Sequence, residues 1–261
     1  EILFYMGRAY QLLAERDSSD SQIVAYRDSS ISIYKRFLTR YPTHQKAPEV
    51  NYQLIRLATN KSTPLQLHQR YLDLVTAYPL GANRPEIYFY LGKTLIDSKS
   101  AVPPDSLSRA KVYFQKTLQL NPQGAWADEA LFDLAELERK QQNPEAAISR
   151  YQAYIQQFPQ GRFIASATYQ LAKLTAGQRQ FKRALGLFET VQREFYYTDY
   201  SDSALSELAN LYFDLKNYDK ALQVLNQVEK IHPNETGDLL FKRGFILYKQ
   251  GKTDEVVRKL R

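Results

Sequence analysis

The sequence contains no cysteine and only three histidines among its 261 residues. The lack of cysteine excludes disulfide bonds, thiolate metal sites and a cysteine nucleophile. The histidines His44, His68 and His232 stand far apart, and no two of them have the i, i+3 or i+4 spacing of metal ligands on a helix. We therefore expect no metal site in this chain.

Glycine is also scarce, with ten residues scattered along the chain. No Gly-x-Gly-x-x-Gly, P-loop or Gly-x-Ser-x-Gly motif occurs, so the usual cradles for nucleotides and the nucleophile elbow are missing. Carboxylates such as Asp128, Glu129 and Glu136 lie among packing residues of helical segments, which is typical of a solvated helix face. The sequence predicts no catalytic residue and no cofactor, and we expect this segment not to be an enzyme.

Long apolar runs are absent as well, since none approaches the roughly 20 residues that cross a bilayer. We expect no transmembrane segment. What the chain does have is a globular balance of 44% hydrophobic and 24% charged residues, a net charge of +7, twenty tyrosines and thirteen phenylalanines. The sequence opens and stops inside helical patterns, which favours a fragment of a longer protein.

An internal repeat organises the whole chain. Proline follows an aromatic or polar residue at Pro42, Pro79, Pro122, Pro159 and Pro233, with spacings of 37, 43, 37 and 74. The missing member falls at Tyr196. Twelve residues before each mark lies a second series, which consists of Ser30, Leu67, Ala110, Ala147, Ala184 and Ala221. The agreement of the two series predicts repeated structural units of about 37 residues.

Each unit carries the pattern of two helices, which we call A and B. In helix B a member of the second series is followed at i+4 by a bulky residue, as in Ala147 and Tyr151. Helix A is marked by one small or apolar position in each unit; these positions are Gly7, Ile55, Gly92, Ala135, Ala172, Ala209 and Gly244. A single hairpin cannot bury its apolar face, so the hairpins should stack into a solenoid.

These residues resemble the tetratricopeptide repeat family, in which small residues in both helices, an aromatic in helix B and a proline at its end recur. The resemblance covers the chain as repeats 1–42, 43–79, 80–122, 123–159, 160–196, 197–233 and a partial repeat 234–261. It implies an all-α, right-handed superhelical solenoid of antiparallel helix pairs with about 13–14 helices, as one domain. The units of 37 residues are longer than the family's 34 and are similar to those of bacterial envelope proteins, including outer-membrane assembly lipoproteins and the Tol-associated periplasmic coordinator.

Two insertions interrupt the regular spacing. Eleven extra residues lie around Glu15–Ser21 and six around Ser98–Pro104, both between helix A and helix B. Their serine, aspartate and proline content predicts exposed loops. Tolerated length variation and a docking role are both open for them.

The resemblance implies that helix A lines a concave groove. Three residues before the marked position stand mostly aromatics, of which we select Phe4, Tyr52, Phe89, Phe132, Tyr169 and Phe241 as candidate partner-binding residues. One residue after it stand mostly cations, of which we select Arg8, Arg56, Lys93 and Lys173. The two sets are four residues apart and share a helix face. Packing of the aromatics between neighbouring A helices, and a solvated face for the cations, are the alternatives.

The groove composition favours a non-catalytic protein-protein interaction scaffold that binds a peptide or partner protein, such as an acidic or C-terminal segment. A structural spacer and a regulatory arm of a larger enzyme or secretion machine are the alternatives. An RNA-binding helical repeat is less favoured because the matching stripe is aromatic, and we expect no nucleic-acid partner. The resemblance, with the lack of cysteine, favours a periplasmic location in a bacterial envelope assembly over a cytoplasmic one.

Overall fold

The computed structural model describes residues 1–17, 19–59, 62–97, 105–231 and 237–252. These residues form thirteen α-helices and no strand, which confirms the predicted fold class of stacked helix pairs. The helices are α1 Ile2–Arg16, α2 Asp20–Arg40, α3 Ala47–Leu57, α4 Pro64–Ala77, α5 Pro85–Ile96, α6 Ser106–Leu120, α7 Ala127–Lys140, α8 Pro144–Gln157, α9 Ile164–Gly177, α10 Phe181–Glu194, α11 Asp199–Asp214, α12 Tyr218–Ile231 and α13 Gly237–Lys249. Odd-numbered helices correspond to helix A and even-numbered helices to helix B.

The chain divides into two compact units, Glu1–Ala130 and Leu131–Arg261. In the first unit, buried side chains such as Tyr71, Leu74 and Ile87 form a core between α3, α4 and α5. In the second unit, Phe188, Ala209 and Leu225 belong to a core that joins α9 to α13. Each unit thus buries the apolar faces of its helix pairs against neighbouring pairs.

Small residues are required at two of the contacts between helix A and helix B. A Cβ added to Gly7 would lie 2.4 Å from the ring of Tyr34, and one added to Gly92 would lie 2.7 Å from the ring of Phe114. Both rings are fully buried. The alanines of helix B, Ala147, Ala184 and Ala221, are also fully buried, which confirms that the repeat marks the close crossings.

The missing proline at Tyr196 does not fuse two repeats. Helix α10 ends at Glu194 and α11 begins at Asp199. The sequence also offers Ser201 and Asp202 as N-caps for α11, which is wrong, because the N-cap is Thr198 and both residues lie inside the first turn. The acidic groups there stabilise the helix through its dipole rather than as caps.

The turns that follow the four A helices α7, α9, α11 and α13 share one backbone conformation. Gln142, Arg179 and Lys216 have φ between 58° and 60°, and Gly251 has φ 74°. In each turn two amide groups return to carbonyls of the preceding helix, as in the Asn217 N–H that donates to the Tyr212 carbonyl at 2.9 Å. This is the Schellman arrangement, which ends a helix tightly and reverses the chain.

The first insertion is not the loop that its composition predicts. Helix α1 continues to Arg16 and α2 begins at Asp20, so most of the extra residues lengthen α2 to 21 residues. Asp17 accepts a hydrogen bond from the Ser19 N–H at 2.8 Å, and Asp20 lies in the first turn of α2, where a negative charge favours the helix. The second insertion, around Ser98–Pro104, lies outside the described residues.

Candidate binding surface

The candidate residues lie on one face of the A helices, which we call the A face. In the first unit it belongs to α1, α3 and α5, and in the second unit to α9, α11 and α13 together with the part of α7 that follows Ala130. Each unit's A face is described separately below.

Two of the predicted aromatics in the first unit belong to the core. Tyr52 is 6% exposed and Phe89 is 2% exposed, so neither offers much surface to a partner. Phe89 stacks on Trp126 with ring centroids 5.1 Å apart, and Tyr52 lies 6.4 Å from Tyr71. Burial of Tyr52 raises the pKa of its hydroxyl. Tyr52 and Phe89 therefore pack inside the protein, which is the alternative to partner binding that the sequence left open.

Phe4 is half-buried, and its ring lies under the ammonium group of Lys46, with Nζ 5.3 Å from the centroid. Lys46 stands nine residues before Ile55, the marked position of the next A helix, as Trp126 stands nine before Ala135. A residue at this position therefore covers the aromatic of the preceding A helix in both pairs. We call it the covering position.

The cations of the first unit are divided between an ion pair and open surface. Lys93 is paired with Glu129 at 2.8 Å, which joins the A face of α5 to the first turn of α7. Arg8 is half-buried, whereas Arg56 is exposed and borders a cavity of about 230 Å³ that Arg27 also lines. One cation of the expected series, Lys93, is thus neutralised by Glu129. The sequence around Glu129 predicts a solvated helix face instead.

Carboxylates also hold the α3 and α5 ends together. Glu49 accepts hydrogen bonds from Gln53 at 2.7 Å and from Arg84. Burial alone would raise the pKa of Glu49, but the bonds from Gln53 and Arg84 outweigh it and hold the pKa below its usual value. Glu49 is therefore an ionised acceptor between neighbouring repeats.

In the second unit the covering position again shields the predicted aromatics. Phe132 is half-buried and stacks on Phe163, with ring centroids 4.4 Å apart and planes 9° apart. Tyr169 is half-buried and lies 5.6 Å from Tyr200. The covering position is occupied by an aromatic at intervals of 37 residues, at Trp126, Phe163 and Tyr200. This spacing is visible in the sequence and could have predicted that these rings cover the aromatics of the preceding A helices.

Polar side chains around α7 and α9 also pair internally. Glu136 accepts hydrogen bonds from Arg139 at 2.7 Å and from the Tyr151 hydroxyl. Burial opposes ionisation of Glu136, but these donors lower its pKa overall. Lys173 is exposed and lies 3.7 Å from Glu207 of α11, with its Nζ also 5.7 Å from the Tyr169 ring centroid. Of Glu136 and Lys173, the lysine is the more accessible to a partner.

Helix α13 presents the open aromatic surface of the second unit. Phe241 is 65% exposed and Tyr248 is 64% exposed, while Phe245 between them is partly buried. Their i, i+4, i+7 spacing places them on one helix face. We call Phe241, Phe245 and Tyr248 the α13 aromatic stripe. The repeat pattern selects only Phe241, although the helical spacing of all three is visible in the sequence.

Packing holds the α13 aromatic stripe in place. The Phe245 ring contacts Phe213 of α11, with centroids 5.5 Å apart, and Lys249 Nζ lies 5.5 Å from the Phe245 centroid. Lys242 donates to Asn210 of α11 at 2.8 Å and pairs with Asp238. The stripe is therefore a firm apolar surface with two lysines beside it.

Catalytic features do not emerge from the described part of the chain. Within it, no three histidine, aspartate or glutamate side chains cluster in a way that could hold a metal ion. His68 is buried and lies between α5 and Arg109 rather than in an open cleft. Among the helices described, none is long and apolar enough to span a bilayer.

The comparisons with known proteins agree with the helix-pair architecture. Residues 138–258 match the family model of a tetratricopeptide repeat-like domain. This part of the chain is therefore similar to tetratricopeptide repeat-like domains. No curated protein shows a significant match to the sequence.

Solved structures of repeat proteins resemble a larger share of the chain. A tetratricopeptide repeat protein from Parabacteroides merdae ATCC 43184 matches 98% of this chain and 91% of its own, with a TM-score of 0.55 and 13% identity. YrrB, described as a tetratricopeptide repeat protein with an unusual peptide-binding site, matches 82% and 97%, with a TM-score of 0.57 and 17% identity. Residues 41 to the end of MamA from Desulfovibrio magneticus RS-1 match 67% and 90%, with a TM-score of 0.53 and 14% identity. At these identities the likeness concerns the fold.

Proposed function

We propose that this chain is a non-catalytic interaction scaffold that binds an extended segment of a partner protein on the A face of its second unit. The α13 aromatic stripe carries the proposal. Large aromatic side chains that stay exposed on one face, with their backbone held by packing, provide contact area at a low entropic cost. The fold of YrrB, whose description includes a peptide-binding site, supports a peptide as the ligand.

The charges next to the stripe favour an acidic segment. Lys249 lies beside Phe245, and Lys173 of α9 is exposed on the same A face, two A helices earlier. Exposed cations attract a negatively charged chain and orient it, while the aromatics supply most of the affinity. The partner should therefore combine acidic residues with apolar or aromatic residues that pack on Phe241 and Tyr248.

A peptide selection tests the proposal and requires no identified partner. Random 12-residue peptides displayed on phage would be selected on the purified protein, and the affinity of enriched peptides would be measured by fluorescence polarisation. We expect acidic and aromatic residues to be enriched. Phe241→Ala with Tyr248→Ala should weaken binding by at least about tenfold, as the loss of anchor side chains does.

The chain offers a matched control. Tyr196 and Tyr197 are also highly exposed, but they lie in the loop before α11 rather than on α13. Tyr196→Ala with Tyr197→Ala should leave the affinity unchanged, and circular dichroism should show both double variants folded. Peptides that bind the α13 variant as tightly as the parent protein would contradict the proposal. Failure to enrich any peptide would favour the spacer or regulatory-arm function instead.

We further propose a role in a bacterial cell-envelope assembly, with the chain in the periplasm. The lack of cysteine is consistent with this, since a chain without thiols cannot form non-native disulfides in an oxidising compartment. Cell fractionation followed by immunodetection tests it. Recovery of the protein with cytoplasmic markers would contradict the proposal.

A further inference from the structure

The first repeat has an unusually long helix A, and the second repeat has a short one. Helix α1 ends at Arg16, nine residues after its marked glycine, whereas α7, α9, α11 and α13 all end five residues after theirs. Helix α3 ends at Leu57, only two residues after Ile55. The end of α1 therefore lies seven residues, or about 10 Å of helix, further along its repeat than the end of α3 does.

A cavity of about 230 Å³ lies at this place in the first unit. Its lining consists of Gln11, Ala14 and Glu15 of α1, Arg27 of α2, and Arg56 and Leu57 of α3. Ala14 and Glu15 belong to the part of α1 that has no counterpart in α7, α9, α11 or α13. The cavity is thus formed between the first two repeats by the added length of α1 and the early end of α3.

Two arginines from different repeats line the cavity. Arg27 and Arg56 are exposed, and within the described part of the chain neither side chain makes a hydrogen bond or an ion pair. Glu15 lines the same cavity but is ion-paired with neither of them among the described residues. By contrast, Arg139 is paired with Glu136 at 2.7 Å. The two guanidinium groups of the cavity are therefore open to an anion that comes from outside the chain.

A buried amide group adds a third donor to the lining. Gln11 is 4% exposed, and its Nε2 donates to Oε1 of Gln53 on α3 at 3.1 Å. Its Oε1 accepts a hydrogen bond from the Tyr34 hydroxyl at 3.4 Å. These two bonds hold the Gln11 side chain in place. Because an amide nitrogen carries two hydrogens, one of them remains for an oxygen atom of a ligand in the cavity.

We propose that this cavity binds a phosphate group, either as inorganic phosphate or as a phosphomonoester. Each guanidinium presents a planar fork of donors that binds two oxygen atoms at once. Two forks together with the Gln11 amide match the several oxygens of a phosphate, whereas a carboxylate offers only two. At about 230 Å³ the cavity is also smaller than pockets for drug-sized ligands, which have roughly 300–1,000 Å³. It therefore suits a small charged group, and it goes beyond the peptide binding proposed above.

Isothermal titration calorimetry with inorganic phosphate tests the proposal, at low salt and at a pH of about 7.5, where phosphate is mostly the dianion. We expect saturable binding with a dissociation constant of about 1 mM. Arg27→Gln and Arg56→Gln should each raise this constant at least about tenfold, because each removes hydrogen bonds to a charged group. Glu15→Gln should lower it about threefold, because it removes a like charge from the lining.

The chain offers a control that changes the net charge equally. Arg70 is also exposed, but it lies on α4 and does not line this cavity. Arg70→Gln should leave the dissociation constant unchanged, and circular dichroism should show every variant folded. An equal loss of affinity in Arg70→Gln and Arg27→Gln would mean general attraction by the net charge and would overturn the site. Lack of saturable binding up to about 10 mM phosphate would overturn it as well.

Phenyl phosphate and acetate distinguish the kinds of ligand. Tighter binding of phenyl phosphate than of inorganic phosphate would support a phosphomonoester, and the reverse order would support free phosphate. Acetate that binds as tightly as phosphate would overturn the choice of a phosphate group. None of these outcomes affects the peptide-binding proposal, which concerns the α13 aromatic stripe in the second unit.

Discussion

Replacing glycine by alanine at two helical positions should have unequal effects on stability. At Gly92 the new methyl group would lie 2.7, 2.9 and 3.0 Å from atoms of the Phe114 ring. Phe114 is fully buried and packs against Phe89 at 6.0 Å, so the ring has little room to move. At Gly186, inside α10, the methyl group would have no atom within 4 Å.

The magnitudes follow from two terms. Alanine stabilises a helix interior by about 1 kcal/mol relative to glycine, which should apply at both positions. Overpacking a core costs about 1–3 kcal/mol, which applies only at Gly92. We therefore expect Gly186→Ala to raise the free energy of unfolding by about 1 kcal/mol. The free energy of unfolding of the Gly92→Ala variant should be lower than that of the Gly186→Ala variant by about 1–3 kcal/mol.

Urea unfolding followed by circular dichroism measures both variants against the parent chain. The difference between the two variants isolates the overpacking term, because the helix propensity cancels. Equal stabilisation by both substitutions would refute the reasoning, since it would mean that Phe114 moves aside without cost. The repeat alignment at Gly92 would then lose its physical basis.

Two further predictions concern buried polar groups. Burial lowers the pKa of His68, whose Nδ1 lies 3.2 Å from the Leu91 carbonyl, so the unfolded chain takes up the proton first and stability should fall as the pH drops below about 6.5. His68→Gln should flatten this dependence in urea unfolding at several pH values, and an unchanged pH dependence would contradict the argument. Arg243 is 1% exposed and donates to the buried Leu225 carbonyl and to Glu229 at 2.7 Å. Arg243→Met should leave the buried carbonyl without this donor and cost about 1–3 kcal/mol in the same assay, and an unchanged midpoint would contradict this.

The helix pairs were predictable from sequence because their defining contact is local and repeated. At Gly92 a small residue in helix A faces a large ring in helix B, that of Phe114, and the contact shows why no larger residue fits there. Composition was a poorer guide. The aspartate and serine residues near Asp17 suggested a loop, but the same residue types favour a helix start, and α2 begins there.

The candidate site was harder to predict because exposure depends on the next repeat. Tyr52 and Phe241 occupy the same position in their A helices, yet one is 6% and the other 65% exposed. Likewise, the local sequence around Lys93 contains no sign of the carboxylate partner that α7 supplies, Glu129 at 2.8 Å. Such pairings join residues more than thirty positions apart, and only the stacking geometry brings them together.

The covering position explains why three of the predicted aromatics offer little surface to a partner. Trp126 shields Phe89, Phe163 shields Phe132 and Tyr200 shields Tyr169, each from the start of the following repeat. An aromatic with such a partner contributes to the stacking of repeats, so its removal should reduce stability before it affects binding. Phe241 stays exposed on α13, and it is there that stability and binding can be separated by substitution.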